Sequence, residues 1–107
     1  MIEIEFERKY LEDLYANGKT KDKKHRFQPA IIKKYIRVID TLKANSCIED
    51  LYRFKSLNYE KLIGDKEGLE SVRVNDQYRI EFKSRTEGEE PHAITICSIV
   101  ELSNHYK

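Results

Sequence analysis

Five side chains in this sequence have the chemical types that cleavage of an RNA phosphodiester requires without a metal ion. Such a reaction needs a base that takes the proton from the 2′-hydroxyl, cations that stabilise the charge on the phosphate, and an acid that protonates the leaving 5′-oxygen. Carboxylate, guanidinium, imidazole and phenol groups can fill these roles. The candidates are Glu60, Arg73, Arg79, His105 and Tyr106.

The sequence lacks the common signatures of other enzyme classes. It has no glycine-rich phosphate loop, no HExxH motif, no CxxC pair and no glycine-flanked serine. The acidic residues form no compact set that would clearly hold a divalent metal, so we expect the chemistry to need neither a metal nor a cofactor. Cys47 and Cys97 lack metal-ligand spacing, and we interpret both as structural.

Two of the candidate residues lie in a predicted β-hairpin, SVRVNDQYRIEF, at 71–82. A three-residue loop at 75–77 places the apolar residues of both strands on one face, whereas a two-residue loop would mix apolar and polar residues. This register sets Arg73 directly opposite Arg79. Facing like charges cost a fraction of ~1 kcal/mol, so removing either arginine is expected to raise the melting temperature slightly. Either the two guanidiniums are solvated, with Glu81 relieving them, or they bind an anion.

The remaining pattern predicts an α+β domain spanning 1–107. IEIEF alternates like a half-buried strand, two amphipathic helices follow, and the second begins near Pro29. A short helix is expected around 48–54, and three strands follow it. We therefore predict an N-terminal strand and a helical hairpin packed on a largely antiparallel sheet of about four strands. The polar face of that sheet is expected to stay open to a ligand.

The distribution of charged residues along the chain is more informative about possible ligands than the net charge, which is +1. Between Lys19 and Arg37 the sequence has a cluster of Lys and Arg with Asp22 as the single acid. Such a segment is either a solvated surface or a patch suited to a phosphate backbone. The sequence has no apolar run near the ~18 residues of a membrane span and no visible secretory leader, so we expect a cytoplasmic protein without membrane contact.

The segment LNYEKLIGDKEGLESVRVNDQYRIEF, together with the C-terminal NHYK, resembles toxins of the RelE/ParE superfamily, in particular the HigB-type members. The motif that carries the resemblance runs from Lys61 to Phe82, while the first half of the chain matches in pattern only. The resemblance implies a small RelE-like fold and a ribosome-dependent mRNA endonuclease that inhibits translation. It also implies a HigA-like helix-turn-helix antitoxin as partner, with mRNA and the decoding site of the small ribosomal subunit as targets.

The same resemblance implies roles for the candidate residues. Glu60 or His105 would act as the base, and His105 or Tyr106 as the acid or as a stacking partner for a codon base. Arg73 and Arg79 would stabilise the scissile phosphate, and the products would carry 2′,3′-cyclic phosphate ends. Further contacts to RNA would come from Lys21, Lys23, Lys24, Lys33, Lys34, Arg37 and Lys61.

Two other functions stay open at this point. ParE-like members of the same superfamily bind and inhibit DNA gyrase and cut no RNA. An inactive relative that only binds its antitoxin is the other alternative. The His105-Tyr106 pair and Glu60 favour the nuclease.

Overall fold

A five-stranded sheet organises the fold. The computed structural model describes residues 1–104. The strands are β1 (Glu3–Phe6), β2 (Glu60–Lys61), β3 (Glu70–Arg73), β4 (Arg79–Glu87) and β5 (Ile94–Ser103). Their order across the sheet is β1-β5-β4-β3-β2. β1 runs parallel to β5, and every other neighbouring pair is antiparallel.

Two α-helices, α1 (Lys9–Asn17) and α2 (Pro29–Ala44), form a hairpin over one face of this sheet. Gly18 ends α1 with φ +72° and donates its N–H to the Leu14 carbonyl, and Pro29 begins α2. The buried hydroxyl of Tyr35 in α2 donates a 2.8 Å hydrogen bond to the Leu11 carbonyl of α1. Three 3₁₀ turns follow: Ile48–Arg53, Lys55–Leu57 and Gly64–Lys66.

The predicted α+β architecture is confirmed, and the sheet has one strand more than the four expected. The additional strand, β2, is only two residues long. A strand this short cannot show the alternation of apolar and polar residues by which sequence patterns reveal strands. It is nevertheless important, because Glu60 lies in it.

The hairpin register predicted from the sequence is confirmed. Val72 pairs with Ile80, and Arg73 pairs with Arg79. The loop between the strands closes through the Asn75 side chain, whose Oδ1 accepts hydrogen bonds from the backbone N–H groups of Gln77 and Tyr78 at 2.9 and 2.8 Å.

The expectation of an open polar face is wrong at the start of β4. Ser71, Arg79 and Glu81 project away from the helices, yet each is less than 9% exposed. Their polar groups have partners within the protein. Lys66, from the last 3₁₀ turn, contacts Glu81 at 2.5 Å, and Arg79 donates to Ser71. Internal hydrogen bonds and ion pairs replace water on this face.

The two cysteines differ in environment, and we expect them to differ in reactivity. Cys97 is fully buried in the core, and burial raises the pKa of its thiol to about 12, whereas Cys47 is partly exposed. Since the thiolate is the reactive form, iodoacetamide at pH 8 should label Cys47 in the native protein and label Cys97 only after unfolding in urea. Peptide mass spectrometry measures both sites, and equally fast native labelling of both would contradict the packing described above.

Candidate active site

The sheet brings the ends of three strands into one row. Arg73 of β3, Arg79 of β4 and Ser103 of β5 are neighbours in the ladder. The alignment of Ser103 depends on one extra residue in β5, because Glu81 pairs with Glu101 whereas Phe82 pairs with Ile99. The chain therefore leaves β5 beside the two arginines.

The Arg79 guanidinium is buried and held in a fixed orientation. The residue is 5% exposed. Its Nε donates to Ser71 Oγ at 2.9 Å, and Nη2 donates to the Asn58 carbonyl at 2.5 Å. Glu60 Oε2 lies 3.6 Å from Nη2. A cation whose orientation is set by neutral acceptors needs little rearrangement to stabilise negative charge on a ligand.

Asn58 presents its carbonyl to Arg79 from an unusual backbone conformation. It is the one residue other than glycine with positive φ in the part of the chain that the structure describes, at φ 43°. Asparagine tolerates this left-handed region better than most residues. The turn at Asn58 directly precedes Tyr59 and Glu60, so it also sets the direction in which β2 leaves the turn.

Glu60 combines proximity to a cation with access to solvent. Its side chain is 50% exposed, and Lys66 rather than Arg79 forms the ion pair with the neighbouring Glu81. A carboxylate that is reachable from outside and adjacent to a buried guanidinium can accept a proton beside a bound anion. The geometry therefore unites two of the predicted groups, Glu60 and Arg79.

Arg73 faces Arg79 in the ladder but has a different environment. Its side chain is 38% exposed and forms an ion pair with Asp76, which is 93% exposed. Each arginine thus has its own carboxylate, Asp76 or Glu60, and the expected relief by Glu81 is replaced by the Lys66 ion pair. The two like charges are compensated separately, and only Arg73 remains substantially accessible.

Arg73 also lines a groove that contains two of the predicted RNA contacts. The groove has a volume of about 270 Å³ and lies between α2 and the 3₁₀ turn at 55–57. Lys34 and Arg37 of α2 form one wall, and Arg73 contributes to the other. Three cations around one groove form a suitable surface for the backbone of a single RNA strand.

The other predicted RNA contacts lie in different places. Lys24 lines a cleft near Ser103 and Asn104, and Lys21 lines a groove beside α1. Lys23 and Lys33 are exposed on the surface.

Lys61 is directed to the opposite side of the sheet from Glu60. Glu60 pairs with Ser71 and Lys61 with Glu70, and successive strand residues point to opposite faces. Lys61 accordingly lines a cleft with Glu70 and Ser84 on the helix side. The structure does not bring it together with Arg79.

His105 and Tyr106 lie outside the described residues, so their predicted roles stay predictions. Their connection to the site is one of sequence: Ser103, the ladder partner of Arg79, precedes His105 by two residues.

Two residues of the site, Ser71 and Asn58, are not among those predicted from the sequence. Ser71 is fully buried and accepts the hydrogen bond from Arg79 Nε. The sequence could have indicated Ser71, because the predicted hairpin register places this small polar residue diagonal to Arg79 on the same face. Nothing in the sequence marked the carbonyl of Asn58.

Residues 1–104 contain neither a metal-binding cluster nor a membrane-spanning helix. No group of three or more His, Cys, Asp or Glu residues in this range could hold a metal ion. None of its helices has both the length and the apolar character to cross a membrane.

Comparison with known proteins adds the family to this geometry. Residues 4–94 match the family model for HigB-like toxins, described as the RelE-like toxin of type II toxin-antitoxin system HigB. The chain belongs to this family. The matched region includes Glu60, Arg73 and Arg79. Toxin HigB-1 of Vibrio cholerae serotype O1 is 36% identical over 81 residues, which cover 75% of this chain and 81% of that protein.

Solved structures of toxins have the same fold. YafQ from E. coli aligns with TM-score 0.57 and 11% identity, covering 98% of this chain and 94% of YafQ. The toxin-antitoxin complex YoeB-YefM from Staphylococcus aureus matches with TM-score 0.54 and 19% identity, with 99% of both chains covered. This HigB-like chain is the toxin of a type II toxin-antitoxin system, and its partner is an antitoxin.

Proposed function

We propose that this HigB-like toxin is a ribosome-dependent mRNA endonuclease that inhibits translation in the cytoplasm. The observation that carries the proposal is the buried Arg79 guanidinium, held by Ser71 and Asn58 and placed 3.6 Å from the accessible carboxylate of Glu60. A base beside a preoriented cation is the minimal arrangement for attack of a 2′-hydroxyl on its own phosphate.

In this mechanism Glu60 takes the proton from the 2′-hydroxyl, and the resulting oxygen attacks the adjacent phosphorus. Arg79 stabilises the negative charge that grows on the phosphate oxygens, and Arg73 holds the phosphate from the accessible side. His105 protonates the leaving 5′-oxygen, and Tyr106 stacks on a base of the codon. The products carry a 2′,3′-cyclic phosphate and a 5′-hydroxyl.

The experiment compares the purified toxin and its variants on ribosomes programmed with a defined mRNA. Glu60→Gln should slow cleavage by about 10²-fold, and Glu3→Gln, which alters an exposed glutamate in β1, is the matched control. Wild-type protein that leaves the mRNA intact would refute the proposal. Mapping the termini tests the cyclic phosphate, and a 5′-phosphate product would contradict this mechanism.

The assignment of base and acid can be tested with a substrate whose leaving 5′-oxygen is replaced by sulfur. A thiolate leaves without needing a proton, so this substrate should restore the rate of His105→Ala but leave Glu60→Gln slow. The opposite pattern would exchange the two roles.

A second substrate, with a phosphorothioate at the scissile position, tests whether a metal ion takes part. Cleavage of this substrate at a rate that the thiophilic metal Cd²⁺ does not increase would support metal-free chemistry.

A HigA-like helix-turn-helix antitoxin is proposed as the partner that keeps the toxin inactive. Co-expression with the product of the neighbouring gene should abolish growth arrest and yield a complex that co-purifies. Expression of the toxin alone distinguishes mRNA cleavage from gyrase inhibition. A DNA-damage response with intact mRNA would favour the ParE-like function. Absence of any growth arrest would indicate an inactive relative.

The groove between α2 and Arg73 should contribute to RNA affinity through charge. The double variant Lys34→Ala, Arg37→Ala is expected to reduce the slope of log affinity against log salt by about 1.4, at about 0.7 for each phosphate of a single strand that is no longer neutralised. Fluorescence anisotropy with a 2′-O-methylated RNA, which cannot be cleaved, measures this slope. The double variant Lys9→Ala, Lys43→Ala on the two helices is the control, and equal slopes in both would exclude the groove as an RNA contact.

A further inference from the structure

The basic loop that joins the two helices, residues 19–28, is fixed to helix α1 by a histidine. The His25 ring stacks on Tyr10 with ring centroids 3.7 Å apart and planes 6° from parallel. His25 Nδ1 lies 2.9 Å from Asp22 Oδ2, and Asp22 Oδ1 accepts a hydrogen bond from the Lys24 N–H. His25 is therefore held at two points, on one ring face by Tyr10 and at Nδ1 by the Asp22 carboxylate.

Tyr10 connects this stack to the strand that ends at the candidate active site. The residue is 3% exposed, and its hydroxyl accepts a 3.3 Å hydrogen bond from the Leu102 N–H of β5. Phe27 adds a second contact, since its ring meets Tyr78 edge-on at 5.6 Å. The loop is consequently fixed against the same end of the sheet as Arg79.

A cleft of about 270 Å³ separates this loop from the end of β5. Lys24 and Arg26 line it on the loop side, and Ser103 and Asn104 line it on the strand side. Among the residues within 1–104 that line the cleft, Glu101 is the one with a carboxylate, and Arg8 Nη1 lies 3.9 Å from its Oε1. Two cations face neutral polar groups across a space that is large enough for a phosphate.

We propose that this cleft binds an RNA phosphate next to the scissile one and that His25 is the positioning residue that holds Lys24 and Arg26 in place for it. The ladder supports the location, because Ser103 in the cleft wall pairs with Arg79. The proposal rests on the proposed function for the identity of the ligand as RNA. It adds a second phosphate site and a role for His25 and Arg26.

The phosphate site is tested with a 2′-O-methylated RNA oligonucleotide at low salt, monitored by fluorescence anisotropy. Arg26→Ala should weaken binding and reduce the salt slope by about 0.7, the value expected when one phosphate of a single strand is no longer neutralised. Arg53→Ala, in the 3₁₀ turn at 48–53, is the matched control. An unchanged slope in Arg26→Ala would overturn the phosphate site.

The positioning role of His25 has its own readouts. His25→Ala should weaken RNA binding and increase the rate of tryptic cleavage within residues 19–26. Its melting temperature should stay close to that of wild type. His25→Phe, which retains the stack on Tyr10, should restore most of the binding. His92→Ala, in an exposed turn, is the control. RNA affinity in His25→Ala equal to that of wild type would overturn the role.

The phosphate site and the nuclease activity can fail independently of each other. The binding assays need no cleavage and no ribosome, so an inactive wild-type protein would refute the nuclease and still allow the site to be measured. Conversely, normal cleavage on ribosomes with no effect of Arg26→Ala or His25→Ala on RNA binding would refute the site alone.

Discussion

Arg79→Ala is expected to reduce mRNA cleavage by about 10³-fold, which is the upper range for loss of one preorganised group that stabilises transition-state charge. The same substitution should lower the free energy of unfolding by about 2 kcal/mol, because the buried hydroxyl of Ser71 and the partly buried carbonyl of Asn58 lose their donor. Glu60 also loses the cation 3.6 Å away. Cleavage on programmed ribosomes and thermal unfolding of the purified variants measure the two effects.

Arg73→Ala is the matched control, since it removes the same charge from the facing position in the ladder. Its side chain is 38% exposed and pairs with the exposed Asp76, so its loss should leave the unfolding free energy within about 0.5 kcal/mol of wild type. Cleavage should fall by a smaller factor than in Arg79→Ala. Equal stability of the two variants would contradict the difference in burial that separates these arginines.

The stability effect expected at Arg79 has the opposite sign from the one that the sequence suggested. Pairing parity correctly placed Arg73 opposite Arg79, and two facing like charges imply relief when either is removed. Parity gives the register within a hairpin, but it carries no information about what covers the polar face. The 58–66 segment provides that cover, through the Asn58 carbonyl and Lys66.

Other parts of the site differ in how far the sequence could reveal them. The helical hairpin and the largely antiparallel sheet follow from apolar periodicity and from Gly18 and Pro29, and these predictions are confirmed. The RNA contact implied for Lys61 stays a prediction, but side chains alternate along β2, so Lys61 lies on the opposite face from Glu60. This separation could not be predicted from the sequence, because a two-residue strand is too short to show alternation of apolar and polar residues.

The clustering of basic residues between Lys19 and Arg37 was visible in the sequence, whereas its division among separate surfaces was not. Lys34 and Arg37 reach the groove of Arg73, while Lys24 lines the cleft near Ser103. The division results from contacts distant in sequence, such as His25 on Tyr10. A charge pattern predicts that a surface is positive, and tertiary packing decides which site each cation serves.

The second large effect is expected at Glu70, a buried carboxylate on the helix side of the sheet. Glu70 is 8% exposed and accepts three hydrogen bonds, from the Tyr59 hydroxyl at 2.6 Å and from the N–H and hydroxyl of Ser84 at 2.9 and 2.7 Å. Burial, followed by the hydrogen bond to Glu70, raises the pKa of Tyr59. The phenol therefore stays protonated and donates to the carboxylate.

Glu70→Ala should lower the free energy of unfolding by about 3 kcal/mol, because three partly buried donors lose their buried acceptor at once. For a domain of this size that corresponds to a fall of roughly 15 °C in melting temperature. Glu70→Gln keeps one carbonyl oxygen and should lose only about 1 kcal/mol. Calorimetry measures both, with Glu67→Ala, at an exposed glutamate nearby, as the control. Similar stability of Glu70→Ala and Glu67→Ala would contradict the three hydrogen bonds.

The hydrogen bond between Glu70 and Tyr59 should also influence the geometry of the candidate active site, because Tyr59 lies between the two residues that contact Arg79. Asn58 and Glu60 face the guanidinium, while the Tyr59 hydroxyl bonds to Glu70 on the other side of the sheet. Tyr59→Phe removes that bond and keeps the ring against Phe82. Well below its melting temperature, Tyr59→Phe should therefore slow cleavage by about tenfold through misplacement of Glu60, since small displacements of reacting groups cost large factors in rate. Full activity in Tyr59→Phe would show that the turn at Asn58 alone positions Glu60.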